Sequence, residues 1–194
     1  MMDRIGELSP QFKARMAGIF YLLTFVTGAL ALVVVSTRLI ANLIATLSYF
    51  AVTLLFYEMF KPVNRSLSLL AAFFGLMGCA FGALSSFDLA PYHINPLVFF
   101  GFYCLLIGYL TFRSTFLPSV LGVLMALGGL GWLTFLSARL SNYLSPYNFV
   151  PGMLGEGALT LWLLVMGVNV AKWEDRARAA VASTHTYCKP PSTG

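Results

Sequence analysis

The sequence predicts an all-α integral membrane protein, a bundle of six transmembrane helices with both termini in the cytoplasm. Of its 194 residues, 59% are hydrophobic and only 10% are charged, whereas soluble domains average about 25% charged residues. The mean hydropathy is +0.82. Prolines and polar clusters also divide the chain into apolar runs of the length that a membrane-spanning helix needs. These observations together predict the fold class.

Six apolar runs follow one another along the chain. We expect spans at residues 17–36, 39–60, 66–88, 92–112, 118–138 and 151–171. The first run lacks a small-residue cleavage site, so we interpret it as a span and not as a signal peptide. Residues 1–173 would then form one transmembrane domain, and the polar residues 174–194 would form a disordered cytoplasmic tail.

The distribution of lysine and arginine predicts the orientation. The first, third and fifth loops contain only Arg38 and Arg139, and the other ten of the 12 basic residues lie in the N-terminal segment, the second and fourth loops and the tail. Basic residues are enriched on the cytoplasmic side of membrane proteins, so we expect both termini there. Because the positive charges flank membrane segments and form no continuous stripe, nucleic acid is not an expected partner.

Two predicted helices have faces of distinctive composition. The third span places small residues on one face, with Gly78 and Gly82 at the spacing that allows close helix packing within the chain or in a homodimer. The second span carries a polar seam at intervals of three and four residues. Polar side chains avoid lipid, so this seam is expected to face the interior, either in interhelical hydrogen bonds or as the wall of a cavity. Its members are Arg38, Asn42, Thr46, Tyr49, Thr53 and Tyr57.

Glu156 lies within the last span, between Gly155 and Gly157, and Thr160 shares its helix face. Counting back from residue 171 at 1.5 Å per residue places it roughly 22 Å from the inner boundary, in the outer half of the membrane. A buried carboxyl group at such a position needs partners. The candidates at the same predicted level are Arg38, Asp88, His93 and Arg139. They would form either a structural salt-bridge cluster or a site for a ligand or a proton.

Several stretches resemble an uncharacterised family of bacterial six-helix membrane proteins, domain of unknown function 4386. They span residues 14–28, 54–74, 98–133 and 155–176, and include "LLFYEMFKPVNRSLSLLAAFF" and "GEGALTLWLLVMGVNVAKWEDR". The resemblance implies a six-span fold, a Gly-Glu pair in the last helix and a bacterial inner membrane location, but no activity. Gly75 and Tyr103 stand where members often carry Arg and His, which implies an altered polar site.

Our leading functional interpretation is a polar pocket that opens toward the outer leaflet and binds a membrane lipid or another small amphipathic molecule. The polar seam, Tyr103, Arg139, Glu156 and Thr160 would line it. One alternative is an intramembrane enzyme in which Glu156, with Asp88 and His93, acts as general acid on an isoprenoid-type substrate, as in terpene cyclases. A proton-coupled transporter and a purely structural accessory protein are further alternatives. No sequence pattern indicates a cofactor or a metal site.

Overall fold

The computed structural model describes residues 9–89 and 95–187, and within them all regular secondary structure is helical. This confirms the all-α prediction. Short 3-10 turns at Val35–Thr37 and Thr134–Leu136 adjoin the second and fifth helices. The α-helices are α1 (Pro10–Val33), α2 (Arg38–Phe60), α3 (Arg65–Ser86), α4 (Pro96–Arg113), α5 (Ser119–Leu133), α6 (Ala138–Leu144), α7 (Phe149–Val165) and α8 (Val170–Tyr187).

Side-chain caps mark the beginnings of several helices. Ser9, Asn64 and Asn95 precede α1, α3 and α4, and the side-chain oxygen of each accepts a hydrogen bond from a backbone N–H of the first turn. Pro10 and Pro96 follow directly in two cases, at the first helical position, where proline loses no hydrogen bond. The polar breaks, which we predicted to be helix stops and turns, therefore also contain the helix starts.

Within the described residues, five helices are long and apolar enough to cross a membrane, or six if α6 and α7 count as one bent span. The protein is therefore a multi-pass membrane protein by helix length and hydropathy. The axes of α6 and α7 meet at 80°. The predicted fifth loop therefore contains a separate helix, α6, which the hydropathy pattern did not reveal. The orientation in the membrane stays a prediction.

The last predicted span and the tail differ from expectation. The span was expected over 151–171, but α7 ends at Val165, and Gly167 adopts a positive φ of 69°. Glycine reaches this left-handed conformation without steric penalty and commonly ends helices. The Gly167 N–H donates to the Trp162 carbonyl, 3.0 Å away. The chain then continues as α8, so the first part of the predicted disordered tail is helical, through Tyr187.

The helices form a ring in which spatial order follows sequence order. Each of α1 to α5 packs against the next along the chain, except that α5 packs against α7, and α7 returns to pack against α1. The small-residue face of α3 lies inside this ring, as close packing predicts: Gly75 contacts Thr53 of α2 and Tyr103 of α4, and Gly78 contacts Phe100. The centre of the ring is filled mainly by large apolar side chains, including Phe56, Phe60, Ile107, Leu110, Leu159 and Leu163.

Candidate functional site

Glu156 is buried at the centre of the ring, with only 5% of its surface exposed. Its Oε1 accepts a hydrogen bond of 2.6 Å from the indole Nε1 of Trp132, on α5. The same oxygen accepts a second bond from the Cys104 thiol on α4, with 3.3 Å between Sγ and Oε1. A buried carboxyl group requires such partners. Here an indole and a thiol provide them.

Three tyrosines extend this site toward α1 and α2. The hydroxyls of Tyr21 and Tyr49 lie 3.3 Å apart in a hydrogen bond, and the Tyr21 hydroxyl also interacts with the carboxyl group of Glu156. The Tyr103 ring packs edge-on against Tyr49, with 5.6 Å between centroids. Its hydroxyl is buried and forms no hydrogen bond of standard geometry with the described residues. We call these residues the buried polar cluster: Tyr21, Tyr49, Tyr103, Cys104, Trp132 and Glu156.

Glycines allow α7 to approach α5 closely enough for the Trp132–Glu156 bond. The indole of Trp132 lies directly against Gly152, where any side chain would collide with it. A Cβ on Gly155 would collide with the backbone of Leu124, whereas a Cβ on Gly157 would meet no atom within 4 Å. Gly155 therefore accommodates the neighbouring helix, and Gly157 does not.

Three of the four ionisable partners expected for Glu156 do not reach it. Arg38, Asp88 and Arg139 are exposed, and none forms an ion pair with Glu156 in the described structure. His93 lies outside the described residues. The expectation relied on a last helix that extends to residue 171. Because α7 ends at Val165, Glu156 lies near the middle of its helix, seven positions after its first residue, whereas the other three lie at or beyond helix ends.

The polar seam of α2 enters the interior only in its middle. Tyr49 and Thr53 are buried, and the Thr53 hydroxyl donates to the Tyr49 carbonyl at 2.9 Å. Asn42, Thr46 and Tyr57 are half-buried. Thr160 is buried as well, and its hydroxyl donates to the backbone carbonyl of Glu156, 2.7 Å away. The inward orientation predicted for the seam therefore holds at the level of the buried polar cluster.

Sequence reasoning did not select Tyr21, Cys104 or Trp132 as site residues. All three lie in apolar runs and count as hydrophobic in composition, yet each carries a polar hydrogen that a buried acceptor can use. Within the described residues, no group of three or more His, Cys, Asp or Glu side chains is arranged to hold a metal ion.

A separate cavity of about 570 Å³ lies where α5, α6 and α7 meet at the bend. We call it the elbow groove. Its walls are mainly apolar and include Leu127, Leu130 and Leu154. Asn148 also lines it: the Nδ2 donates to Thr134 Oγ1 at 3.3 Å, whereas the Oδ1 is buried and has no hydrogen-bond partner within residues 9–89 and 95–187. The elbow groove is not lined by Glu156, on which the sequence-based pocket was centred.

Comparison with known proteins gives one relative and one family. The chain is 27% identical to an uncharacterised protein of the archaeon Archaeoglobus fulgidus over an alignment of 125 residues. This alignment covers 60% of this chain and 75% of the archaeal protein. Because this relative is archaeal, the resemblance does not by itself indicate a bacterial protein. No solved structure matches. Residues 84–167, which include Cys104, Trp132 and Glu156, match the family described as "Domain of unknown function (DUF4386)". The resemblance noted in the sequence is thereby confirmed over residues 84–167.

Proposed function

We propose that this membrane protein binds a small single-chain amphiphile in the elbow groove. The observation that carries the proposal is the Asn148 side chain, which lines this apolar cavity, is only 4% exposed and has a carbonyl oxygen without a hydrogen-bond partner among the described residues. A buried acceptor without a partner is unfavourable. A ligand that donates one hydrogen bond to Oδ1 would relieve that cost.

The size and the walls of the elbow groove fit this class of ligand. Its volume of about 570 Å³ falls within the range of roughly 300–1,000 Å³ that is typical of small-molecule sites. Leucine side chains from α5 and α7 would contact an alkyl chain, and Asn148 would accept a hydrogen bond from a hydroxyl or amine at its head. If both termini are cytoplasmic, as the distribution of basic residues predicts, the groove faces the outer leaflet.

The buried polar cluster has a supporting role in this proposal. Gly131 lines the elbow groove, and the next residue, Trp132, is held by Glu156 on one side and packs edge-on against Phe149 on the other, with ring centroids 5.6 Å apart. Glu156 would thus fix the position of the α5 wall without contacting the ligand. Its roles as general acid or proton relay remain alternatives that rest on the sequence alone.

A matched pair of tryptophan substitutions tests the proposal. Leu154 and Leu161 lie on α7, two turns apart, and are 63% and 62% exposed, but only Leu154 lines the groove. The purified variants Leu154→Trp and Leu161→Trp would be titrated with monoolein, which carries hydroxyl donors, and with methyl oleate, which has the same chain and no donor. Thermal unfolding and native mass spectrometry would report binding.

We expect monoolein to stabilise the wild-type protein and Leu161→Trp but not Leu154→Trp, because the indole would fill the groove. At a free ligand concentration of 100 times Kd, the stabilisation should be about 2.7 kcal/mol. Methyl oleate should bind more weakly than monoolein to the wild type. Equal responses of the two variants, or equal binding of the two ligands, would show that the elbow groove is not the site or that Asn148 is not its polar anchor.

A further inference from the structure

A second groove, of about 720 Å³, lies where α8 crosses the beginning of α1 and the turn between α2 and α3. We call it the basic groove. Its charged lining residues are Lys13, Glu58, Lys61, Arg65 and Arg176. It is separate from the elbow groove, and nothing in the proposed function depends on it.

The basic groove carries an excess of positive charge. Glu58 is its one carboxylate among the described lining residues, and it lies 3.8 Å from the amino groups of both Lys13 and Lys61. These distances are long for ion pairs, and Glu58 and Lys61 are each more than 40% exposed, so the pairing is weak. Arg65 and Arg176 form no ion pair within the described residues. Four cations and one anion therefore leave three positive charges for an anionic partner.

The guanidinium group of Arg176 is fixed by one hydrogen bond, and another of its N–H groups has no partner among the described residues. Its Nη2 donates to the backbone carbonyl of Arg113, 3.2 Å away, and α8 itself is held by Trp173, whose indole donates to the Met59 carbonyl at 2.9 Å. The Nε of Arg176 is buried and has no hydrogen-bond partner among the residues that the structure describes. Guanidinium groups bind phosphate through several N–H groups at once, and the Arg176 side chain lines the basic groove.

The position of the basic groove favours a lipid as the source of that oxyanion. It lies at the ends of membrane-crossing helices, and apolar groups of Val63, Trp173 and Val181 line it beside the cations. A lipid headgroup can enter such a groove while its acyl chains stay in the membrane, and basic residues next to spans attract anionic lipids. We propose that the basic groove binds the phosphate headgroup of an anionic membrane lipid.

Two arginines of α8 provide a matched test. Arg178 pairs with Asp175 at 3.0 Å, is exposed and does not line the basic groove. Wild-type protein, Arg176→Gln and Arg178→Gln would be delipidated and titrated with phosphatidylglycerol or phosphatidylcholine of identical acyl chains, with native mass spectrometry as the readout. Glycerol 3-phosphate would serve as a competitor that supplies the same phosphate without a lipid.

We expect phosphatidylglycerol to bind wild-type protein and Arg178→Gln equally, and Arg176→Gln at least fivefold more weakly. Phosphatidylcholine should bind all three weakly. Equal affinity of the two variants, or equal affinity for the two lipids, would overturn the proposal. Displacement by glycerol 3-phosphate at concentrations similar to the lipid's would reject the lipid in favour of a soluble phosphate. If Arg176→Gln does not fold, Arg65→Gln decides: unchanged binding there also overturns the proposal.

Discussion

The hydrogen bond between Trp132 and Glu156 should be a measurable source of stability. Replacing Trp132 by Phe keeps an aromatic ring against Phe149 and removes the only N–H of the side chain, which lies 2.6 Å from Oε1. Glu156 would then retain the thiol of Cys104 as a donor to that oxygen, at 3.3 Å. The substitution therefore removes one of the two hydrogen bonds that Oε1 accepts and leaves the other in place.

The expected loss follows from the burial of both partners. Trp132 and Glu156 are only 6% and 5% exposed, and leaving a buried polar group short of one partner costs about 1–3 kcal/mol. The smaller ring adds a packing loss. A double-mutant cycle with Glu156→Leu separates the two contributions, because the packing loss occurs whether or not residue 156 is a carboxyl group.

The free energy of unfolding of the two single variants and the double variant would be measured in mixed micelles. We expect a coupling energy between positions 132 and 156 of at least about 1 kcal/mol. Trp162→Phe serves as the control, since its indole forms none of the side-chain hydrogen bonds found in the described residues, and it should be additive with Glu156→Leu. Additivity within about 0.5 kcal/mol at positions 132 and 156 would refute the assignment of Trp132 as the principal partner of Glu156.

Three further predictions concern packing and orientation. Gly155→Ala should destabilise the protein by about 1–3 kcal/mol, because its Cβ would collide with the backbone of Leu124. Gly157→Ala should be neutral or stabilising by up to about 1 kcal/mol, because its Cβ would meet no atom within 4 Å. Thermal unfolding of both variants checks this, and equal losses of stability would contradict it. Gln11→Ala should make the turn between α7 and α8 more sensitive to limited proteolysis, because Gln11 bonds backbone groups on both sides of that turn, at 3.1 and 2.9 Å; an unchanged cleavage rate would argue against this tie. A C-terminal green fluorescent protein should fluoresce and a C-terminal alkaline phosphatase should be inactive, since the distribution of basic residues predicts a cytoplasmic C-terminus; the reverse result would show that the orientation is wrong.

Hydropathy and the prolines and polar clusters between apolar runs were sufficient to predict most of the helical architecture. The apolar runs agree with helix positions to within a few residues over α2 to α4. The end of the last span was harder, because the sequence stays apolar through Gly167 and Val168. Hydropathy reports whether a residue tolerates lipid, and it does not report a change in backbone direction.

The position of Glu156 was predictable as inward-facing, but its partners were not. We selected the ionisable residues Arg38, Asp88, His93 and Arg139 because they lay at a similar level in the predicted spans. Which side chain reaches the carboxyl group depends on the rotation and the depth of each helix, and a single sequence specifies neither. In the structure Trp132 reaches it only because Gly152 leaves room for the indole, a requirement that involves two helices at once.

The closed ring of helices has a consequence for the order of assembly. Because α1 packs on both α2 and α7, one side of the first helix has no protein neighbour until the chain has been made through Val165. That side includes Gly18, which lies against Leu164 of α7, and Tyr21 interacts with the carboxyl group of Glu156. An incomplete chain would leave these surfaces open to lipid or to another protein. Helix α7 therefore both completes the ring and covers α1, so truncation before α7 should expose α1 to membrane quality control.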